Sequence, residues 1–574
     1  MPKLTGSAWT LRGLVSKLTC GVSTRYGLAA RDHVARIVPK LQWRGSTLQA
    51  PMRKAAAYIA SVVFALCAMS AGAVPHLEAQ GTTKRLIVNG QPMLIIGGEL
   101  GNSSSSSAAY MAPHWSRLHQ MHLNTVLTPV SWELIEPTEG HFDWRSVDSQ
   151  IEAARANQLK LVVLWFGAWK NSMSTYVPAW VKRDQSRFPR AQLPNGQGLD
   201  ILSAFATATR DADERAFCAL LAHLAKVDGR NETVVMIQVE NEIGMLPVAR
   251  DYSTAANAAF HESVPPELGQ KASGDWNHVF GESDATAEVF TAWHYARYVQ
   301  SLVEAGKAVY PIPMYANVAL NAPNRAPGEY PSGGPLPHLI DIWKSGAPGL
   351  DFLAPDIYFS NFTDLATRYH RADNPLFIPE ANRADRSEVP ANAFYAFGKL
   401  DAIGFGPFSI ESVDTKQPNP LVDAYSVLQQ LSPAILAAQG LGKMSGFRPR
   451  VLQDGTVVST PVVQEIGNYR FTVSFIDMWT PVTNQTPVNH GGIIIQVGPE
   501  DYLVAGQGLI VNFAPLGEGP PLAGIDSAWE GTFNSAGAWV PGRLLNGDQT
   551  HQGRHIRLAP GEFQIQRVRL YRYR

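Results

Sequence analysis

Between residues 86 and 439 the chain repeats one pattern, a short and strongly apolar segment followed by an amphipathic helical stretch or a long loop. Such segments are typical of strands buried on both faces, and their alternation with helices is typical of parallel strands joined by helical crossovers. Eight units in about 350 residues predict an α/β fold, a (β/α)8 TIM barrel with insertions. The predicted strands are 93–97, 125–129, 160–165, 234–239, 313–318, 352–355, 375–379 and 403–410.

After Gly440 the pattern changes to runs of β-branched and aromatic residues separated by Gly, Pro and Asn turns. Residues 469–475 (YRFTVSF) are of this type, and residues 563–571 (FQIQRVRLY) nearly alternate between apolar and polar side chains, as a half-buried antiparallel strand does. We therefore predict a barrel over residues 74–440 and an all-β, sandwich-like domain over residues 441–574.

The N-terminal region has the features of an export signal preceded by extra sequence. Residues 1–51 contain eight Lys or Arg and one acid, and they are followed by Met52, two basic residues, an apolar run over 55–71 and Ala-Gly-Ala at 71–73. This order is typical of a secretory signal peptide. We predict translation from Met52, a signal peptide over 52–73, an over-extended or disordered leader over 1–51, and a periplasmic or secreted product. A basic leader and a membrane anchor are the alternatives, and the run is shorter than the ~20 apolar residues of a spanning helix.

Charge and cysteine content exclude several classes of protein. Residues 1–73 hold ten of the 48 Lys and Arg but only one of the 49 Asp and Glu, so the remainder carries a net charge near −10 and has no general electrostatic basis for binding nucleic acid. Only Cys218 remains there, so no internal disulfide is expected. His114, His119 and His122 lack metal-ligand spacing, and we expect neither a metal nor an organic cofactor. The sequence leaves open whether the protein forms a homo-oligomer.

Two predicted barrel strands end in glutamate. Residues 235–243 (VMIQVENEI) place Glu242 after one strand, and residues 376–380 (LFIPE) place Glu380 after another. Strand ends of a barrel converge at one mouth, so the two carboxyl groups can meet. Hydrolysis of a glycosidic bond needs such a pair, one a proton donor with a raised pKa and the other an ionised nucleophile.

Two segments resemble a known family. Residues 238–242 (QVENE), together with LNTV at 123–126, Trp132, Glu136-Pro137 and GHFD at 140–143, are similar to segments of retaining β-galactosidases of glycoside hydrolase family 35, a clan A family. The resemblance implies a retaining exo-β-galactosidase that acts by double displacement on β-galactosides of oligo- or polysaccharides. It further implies that Glu242 is the acid/base, that Glu380 is the nucleophile and that Asn241 binds the sugar 2-hydroxyl.

The strand that carries Glu242 leaves two questions open. Simple alternation puts Glu240 and Glu242 on one face and Asn241 on the other, so a bulge or twist must turn Asn241 into the site. Glu240 is the rival for the acid role; the alternative for Glu240 is an inward structural carboxylate paired with Arg or Lys.

Other polar and aromatic residues near predicted strand ends are candidates for sugar binding. For each one a structural role, such as a rim ion pair or core packing, competes with the functional one. These candidates are Glu99, Trp132, Trp165, Tyr315, Asn317, Tyr358 and Glu411, with Asn241 from the resemblance.

The third strand departs from the family. Family 35 enzymes carry Asn-Ala-Glu there, whereas residues 164–171 read LWFGAWKN, and 177–181 (VPAWV) are more similar to family 42 galactosidases. Selection of galactose over glucose is therefore open. The alternatives are another clan A β-glycosidase, such as a β-glucosidase or an endo-glucanase, and a catalytically inactive carbohydrate-binding protein.

Overall fold

The computed structural model describes residues 74–269 and 273–574, so the predicted leader and signal peptide lie outside the described residues. The described chain begins with an antiparallel meander of β1 (His76–Gln80), β2 (Thr83–Val88) and β3 (Gln91–Met93). Leu86 and Val88 of β2 pack with the apolar residues inside the barrel. The meander thus extends the interior core of the barrel.

Nine strand segments form one parallel sheet, which confirms the predicted barrel. The sheet order is β12-β14-β4-β5-β6-β9-β10-β11-β13. Its two outermost segments, β12 and β13, are successive pieces of one strand interrupted by Pro379, which has no N–H for a ladder bond. Eight strands therefore surround the axis. The segments are β4 (Ile95–Glu99), β5 (Thr125–Ser131), β6 (Lys160–Phe166), β9 (Val234–Val239), β10 (Met314–Ala319), β11 (Phe352–Ile357), β12 (Phe377–Ile378), β13 (Glu380–Ala381) and β14 (Gly404–Phe405). Two further strands, β7 (Arg190–Gln192) and β8 (Gly198–Leu202), form a separate hairpin.

Alternation along each strand divides the apolar residues between two cores. In β6, Leu164 and Phe166 pack inside the barrel, whereas Val163 and Trp165 pack with the surrounding helices. Both faces are apolar because the helices cover the outside, which explains the uninterrupted apolar segments in the sequence.

The helices begin and end where local signals place them. The longest one is capped by the Ser283 side chain, which accepts a hydrogen bond from the Thr286 N–H, and another starts with Asn419 as N-cap and Pro420 at the first position. None of the helices in the described part of the chain is long and apolar enough to cross a bilayer. The helices are α1 (Ala108–Met111), α2 (Trp115–Gln120), α3 (Trp132–Ile135), α4 (Arg145–Ala156), α5 (Ala179–Arg183), α6 (Thr207–Val227), α7 (Thr254–Phe260), α8 (Trp276–Phe280), α9 (Asp284–Val309), α10 (Ile340–Gly346), α11 (Phe362–Tyr369), α12 (Val389–Lys399) and α13 (Pro420–Ala438).

The C-terminal region consists of antiparallel sheets, as predicted. A six-stranded sheet has the order β15-β20-β21-β26-β23-β24, a four-stranded sheet has the order β18-β19-β22-β25, and β16 pairs with β17. The strands are β15 (Met444–Phe447), β16 (Arg450–Val451), β17 (Val457–Val458), β18 (Val462–Ile466), β19 (Tyr469–Ser474), β20 (Gly491–Gln496), β21 (Asp501–Gln507), β22 (Leu509–Pro515), β23 (Leu522–Phe533), β24 (Trp539–Leu544), β25 (Ile556–Leu558) and β26 (Gln564–Tyr573).

The six-stranded sheet is covered on both faces. Ile493 and Ile495 of β20 belong to the same core as Phe394 of α12, while Ile494 between them packs with the four-stranded sheet. The Phe394 ring also stacks on Phe563 at 5.8 Å. The C-terminal region is therefore joined to the barrel by apolar packing.

Candidate active site

Carboxyl groups from four barrel strands meet at the mouth. Glu242 follows β9, Asp356 lies in β11 and Glu380 begins β13; one oxygen of each lies within 4.8 Å of one oxygen of each of the others. Glu99, at the end of β4, interacts electrostatically with Glu242, Asp356 and Glu380. We call these four residues the carboxylate cluster.

The backbone after β9 is twisted, which sets the direction of Asn241. Glu240 and Glu242 both have positive φ, 61° and 43°, so the strand alternation stops at this point. The Asn241 amide donates to the Lys170 carbonyl at 2.8 Å and accepts from Gln238 at 2.7 Å. Asn241 is thereby fixed between the ends of β6 and β9.

Asn317 of β10 ties this turn to the cluster. Its side-chain oxygen accepts from the Glu242 backbone N–H at 2.9 Å, and its side-chain nitrogen donates to Asn241 at 3.1 Å and to Asp356 at 2.7 Å. A single amide therefore holds the Glu242 backbone and the Asp356 carboxyl group in register.

Glu242 has the electrostatics of a proton donor. Burial, together with the negative charge of Glu380, raises the pKa of Glu242 to about 7, against the lowering influence of Lys170. The Lys170 ammonium lies 4.0 Å from Glu242 Oε2, and the Glu242 side chain remains 16% exposed. Glu242 thus holds a proton near neutral pH and is reachable from the cleft.

Several neighbours oppose the effect of burial on the pKa of Glu380. Burial raises the pKa of Glu380, but hydrogen bonds from Tyr358 and Glu99 and the charge of Lys170 all lower it. The Tyr358 hydroxyl donates directly to Glu380 Oε2. A carboxylate that receives such donors is stabilised in its charged form.

Glu99 and Asp356 are held in their neutral forms. Burial and the charge of Glu380 raise the pKa values of both groups well above the usual range. Both Glu99 oxygens are buried without a hydrogen-bond donor among the described residues. A protonated Glu99 can donate its own O–H to Glu380. This bond would give Glu99 a hydrogen-bond partner and would stabilise the ionised form of Glu380.

Tyr315 lies deep in the barrel, beside the cluster. Its ring stacks on Phe352 at 5.2 Å inside the barrel core, and its buried hydroxyl has no described hydrogen-bond partner. Burial, with the nearby charges of Glu99, Asp356 and Glu380, raises the pKa of Tyr315 well above its usual value. The tyrosine therefore stays protonated and presents an O–H donor to the site.

Glu240 is structural, but its partner differs from the prediction of an Arg or Lys. It accepts from the backbone N–H groups of Ala168 at 3.2 Å and Trp169 at 2.7 Å, and it pairs with the carboxyl group of Asp213. Burial and Asp213 raise the pKa of Glu240 well above its usual value, so the two carboxyl groups share a proton. This pair holds the segment that ends at Lys170.

Two of the predicted sugar-binding residues do not reach the cleft. Trp132 is fully buried and donates to Glu136 at 2.7 Å, and Trp165 is fully buried on the outer face of β6, where it donates to Asp213 at 2.9 Å. Trp165 was predicted because it ends a strand, and Trp132 because it lies in the segment that resembles the family. Their side chains instead point into the layer between strands and helices.

Glu411 is held by the loop after β4. Its Oε1 accepts from the Gly101 N–H at 3.0 Å and from the Ser104 hydroxyl at 2.5 Å, and its Oε2 is buried without a described partner. Glu411 therefore braces this loop and retains one free acceptor.

Sequence reasoning missed two members of the site. Asp356 ends the predicted strand 352–355 in the same way as Glu380 ends its strand, so that rule also points to it. Lys170 lies four residues beyond a strand end and carried no comparable signal. The positive charge of its ammonium group lowers the pKa values of Glu99, Glu242 and Glu380.

Within the described residues, Glu242, Asp356 and Glu380 form a set whose oxygens are close enough to share a metal ion. The Lys170 ammonium already supplies a positive charge beside Glu242. The pKa values of Glu242 and Asp356 are raised by burial and by the charge of Glu380.

Fold and site together define a (β/α)8 barrel with a paired-carboxylate centre at the C-terminal ends of its strands. Residues 106–283 match a family model described as beta-galactosidase, a segment that includes Glu242 and ends before Glu380. The chain thus carries a barrel of the glycoside hydrolase type. Residues 421–557, which begin in α13 and cover most of the C-terminal sheets, match a domain of unknown function (DUF5597). No curated protein sequence matches the chain.

Solved structures similar to this one include galactosidases and an amylase. A beta-galactosidase from the psychrophilic Marinomonas ef1 is 13% identical with a TM-score of 0.43, and the similarity covers 60% of this chain and 60% of that one. The catalytic domain of a beta-amylase from Paenibacillus polymyxa is 13% identical with a TM-score of 0.42, covering 58% and 96% of the two chains. A beta-galactosidase from Bacillus circulans sp. alkalophilus is 14% identical with a TM-score of 0.41, covering 60% and 57%. Similarity this low says nothing about substrate or reaction.

Proposed function

We propose that the protein is a retaining β-glycosidase, specifically an exo-β-galactosidase of the family 35 type, that hydrolyses terminal β-galactosyl residues by double displacement. The observation that carries the proposal is the approach of one Glu242 oxygen to within 4.8 Å of one Glu380 oxygen. Retaining enzymes hold their two carboxyl groups about 5–5.5 Å apart, whereas inverting enzymes leave about 6.5–9.5 Å for a water molecule. An oxygen–oxygen approach within 4.8 Å is consistent with the retaining spacing.

In the first step an oxygen of Glu380 bonds to the anomeric carbon as the bond from that carbon to the leaving oxygen breaks. Glu242 transfers its proton to the leaving oxygen, so a neutral alcohol departs and a glycosyl ester on Glu380 remains. The pKa of Glu242, raised to about 7 by burial and the charge of Glu380, leaves the proton available near neutral pH.

In the second step the roles of the two glutamates reverse. Esterification removes the negative charge of Glu380, and with it one of the causes that raise the pKa of Glu242. Glu242 therefore becomes a carboxylate that accepts a proton from water. The water oxygen bonds to the anomeric carbon, the ester bond breaks, and Glu380 returns as a carboxylate.

The galactose assignment rests on the sequence segments around Glu242 and on the family match over residues 106–283. The decisive experiment is a panel of nitrophenyl β-galactoside, β-glucoside and β-cellobioside, with the anomer of the product followed by proton NMR in the first minutes. We expect nitrophenol release from the galactoside and a β-configured first product. An α-configured first product would refute the retaining mechanism. A preference for the glucoside or the cellobioside would instead indicate a β-glucosidase or an endo-glucanase.

A further inference from the structure

Lys170 is a cation at the barrel mouth with unused hydrogen-bond donors. It lies in the loop after β6, its side chain is 9% exposed, and its Nζ lies 4.0 Å from Glu242 Oε2 and 5.3 Å from the centre of the Phe166 ring. No residue in the described ranges accepts a hydrogen bond from Nζ. Unlike the enclosed oxygens of Glu99, Nζ retains an exposed surface. Its three N–H donors are therefore available to a molecule in the cleft.

The backbone around Lys170 is held in place by neighbouring strands. Its carbonyl accepts a hydrogen bond from the Asn241 side chain at 2.8 Å. The N–H groups of the two preceding residues, Ala168 and Trp169, donate to the Glu240 carboxyl group at 3.2 Å and 2.7 Å. The ammonium group is thus carried by a fixed segment, and a ligand does not have to order that segment in order to bind.

The two catalytic carboxyl groups of the proposed mechanism locate the sugar relative to Nζ. The anomeric carbon lies between Glu380, which bonds to it, and Glu242, which protonates the oxygen that leaves it. Nζ is 4.0 Å from Glu242, and its charge also acts on Glu380. Nζ therefore lies on the side of the sugar that carries the anomeric carbon and its neighbours.

Three oxygens of a bound glycoside lie within two bonds of the anomeric carbon. The leaving oxygen takes the proton of Glu242. The ring oxygen gains positive charge in the oxocarbenium-like transition state, so an ammonium group beside it would oppose the reaction. The 2-hydroxyl can accept a hydrogen bond from Lys170 and donate its own hydrogen to the ionised Glu380. Of the three oxygens, the 2-hydroxyl is the one that a neighbouring cation favours.

Asn241, to which the family resemblance assigns the 2-hydroxyl, is largely engaged by the protein. Its side-chain oxygen accepts from Gln238 at 2.7 Å and from Asn317 at 3.1 Å, and its side-chain nitrogen donates to the Lys170 carbonyl. An amide oxygen has two acceptor positions and an amide nitrogen has two hydrogens, so a single N–H of Asn241 remains for a ligand. Lys170 offers three.

From this arrangement we infer that the Lys170 ammonium donates a hydrogen bond to the 2-hydroxyl of the sugar that is transferred to Glu380. The inference rests on the proposed function and adds to it a requirement at one position of the sugar. Galactosides and glucosides both carry an equatorial 2-hydroxyl, so the inference holds for either substrate. A 2-deoxy sugar leaves the ammonium group without its acceptor.

The test removes the hydroxyl and the lysine separately and together. kcat/KM is measured for the protein and for Lys170→Met with nitrophenyl β-galactoside and its 2-deoxy and 4-deoxy analogues, each at the pH of maximal activity; the glucoside series replaces it if the glucoside is the better substrate. We expect the loss on the galactoside to exceed the loss on the 2-deoxy analogue by about 10- to 100-fold, because only the galactoside loses a hydrogen bond from a charged donor. The losses on the galactoside and on the 4-deoxy analogue should be equal.

The ratio of these losses cancels any change that affects every substrate, such as a changed pKa of Glu242 or a structural role of Lys170. Equal losses on the galactoside and the 2-deoxy analogue would overturn the inference. A smaller loss on the 4-deoxy analogue alone would overturn it in favour of the 4-hydroxyl. The matched control is Lys182→Met, since Lys182 pairs with Glu133 at 2.7 Å, and it should show no difference among the three substrates.

Lys170→Gln covers the case in which Lys170→Met does not fold. It keeps a neutral donor and removes the charge, so its loss should again be greater on the galactoside than on the 2-deoxy analogue, by a smaller ratio. Equal losses of this variant on both substrates would equally overturn the inference.

A binding measurement distinguishes failure of the inference from failure of the proposed function. A ligand that binds only the folded state raises Tm with its concentration. We expect galactose to raise Tm at lower concentration than 2-deoxygalactose, and Lys170→Met to remove this difference. That result without hydrolysis of any glycoside would refute the proposed function and support the inference. Hydrolysis with equal losses would overturn the inference alone, and neither hydrolysis nor binding would overturn both.

Discussion

Glu242 and Glu380 stand 138 residues apart in the sequence, yet one oxygen of each carboxyl group lies within 4.8 Å of the other. After burial, the charge of Glu380 is the main cause that raises the pKa of Glu242 to about 7. Tyr358 and Lys170 favour the ionised form of Glu380. These opposite influences on two identical side chains support the proposed assignment of Glu242 as the acid and Glu380 as the nucleophile.

Glu380→Gln should abolish turnover and stabilise the protein at neutral pH. The folded-state pKa of Glu380 is raised by burial, so its contribution to stability is present at low pH and is lost as the pH rises through that pKa. The variant should therefore gain on the order of 2 °C in Tm at pH 8 and less at pH 5. Glu465→Gln, at an exposed glutamate paired with Arg470, is the control and should show no such gain. Equal or lower stability at pH 8 would contradict the argument.

Alanine variants of the two glutamates should lose activity in different ways. Glu242→Ala should lose about 10²–10⁴-fold in activity on substrates with poor leaving groups and little in the first step on dinitrophenyl glycosides, with azide giving a product of retained configuration. Glu380→Ala should be inactive on every substrate, with azide giving at most an inverted product. Rescue of Glu240→Ala in place of Glu242→Ala would show that the acid had been assigned to the wrong residue.

Lys170→Met should shift the whole pH profile of kcat/KM to higher pH. Burial raises the pKa values of Glu242 and Glu380, and the Lys170 charge lowers both. Its removal should move the alkaline limb, which reports loss of the Glu242 proton, from near pH 7 to higher pH, and the acid limb in the same direction. Lys182→Met is the matched control, since that lysine pairs with Glu133 away from the cluster. A profile that drops in height without moving would contradict this electrostatic role of Lys170.

The Asp213–Glu240 pair should make stability depend on pH. Burial raises the pKa values of both groups, so the pair stabilises the fold at low pH, and that stability is lost as the pH rises through the folded-state pKa values. Glu240→Gln replaces the shared proton with an amide hydrogen and should flatten this dependence while keeping activity. Glu240→Ala leaves the Trp169 N–H without its acceptor, while the Ala168 N–H keeps Asp213, and the variant should have a lower Tm throughout. Chemical denaturation between pH 5 and 9 measures both effects.

The exported protein should begin near Val74. The prediction follows from the basic start, the apolar run and the Ala-Gly-Ala sequence that precede it. Amino-terminal sequencing of the protein recovered from the periplasm or medium measures the cleavage site. Residues 1–51 still attached to that protein would refute translation from Met52.

Much of the barrel was predictable because each of its strands is buried on both faces and therefore reads as an apolar segment. The ends of parallel strands converge, so Glu242 and Glu380 were also predictable as a pair. Asp356 also follows a predicted strand, so the convergence of strand ends points to it as well.

Only the tertiary structure decided which way each side chain points and which neighbours set its charge. The positive φ angles of the residues on either side of Asn241 interrupt the alternation of the strand. The Trp165 ring packs with the helix layer and not in the cleft. Glu240 pairs with Asp213, which lies on the preceding helix α6. The sequence by itself determined the barrel and the chemistry available at its strand ends, because these depend on local apolar pattern. Desolvation and charge coupling depend on distances between remote segments, so the state of each carboxyl group was decided by the fold.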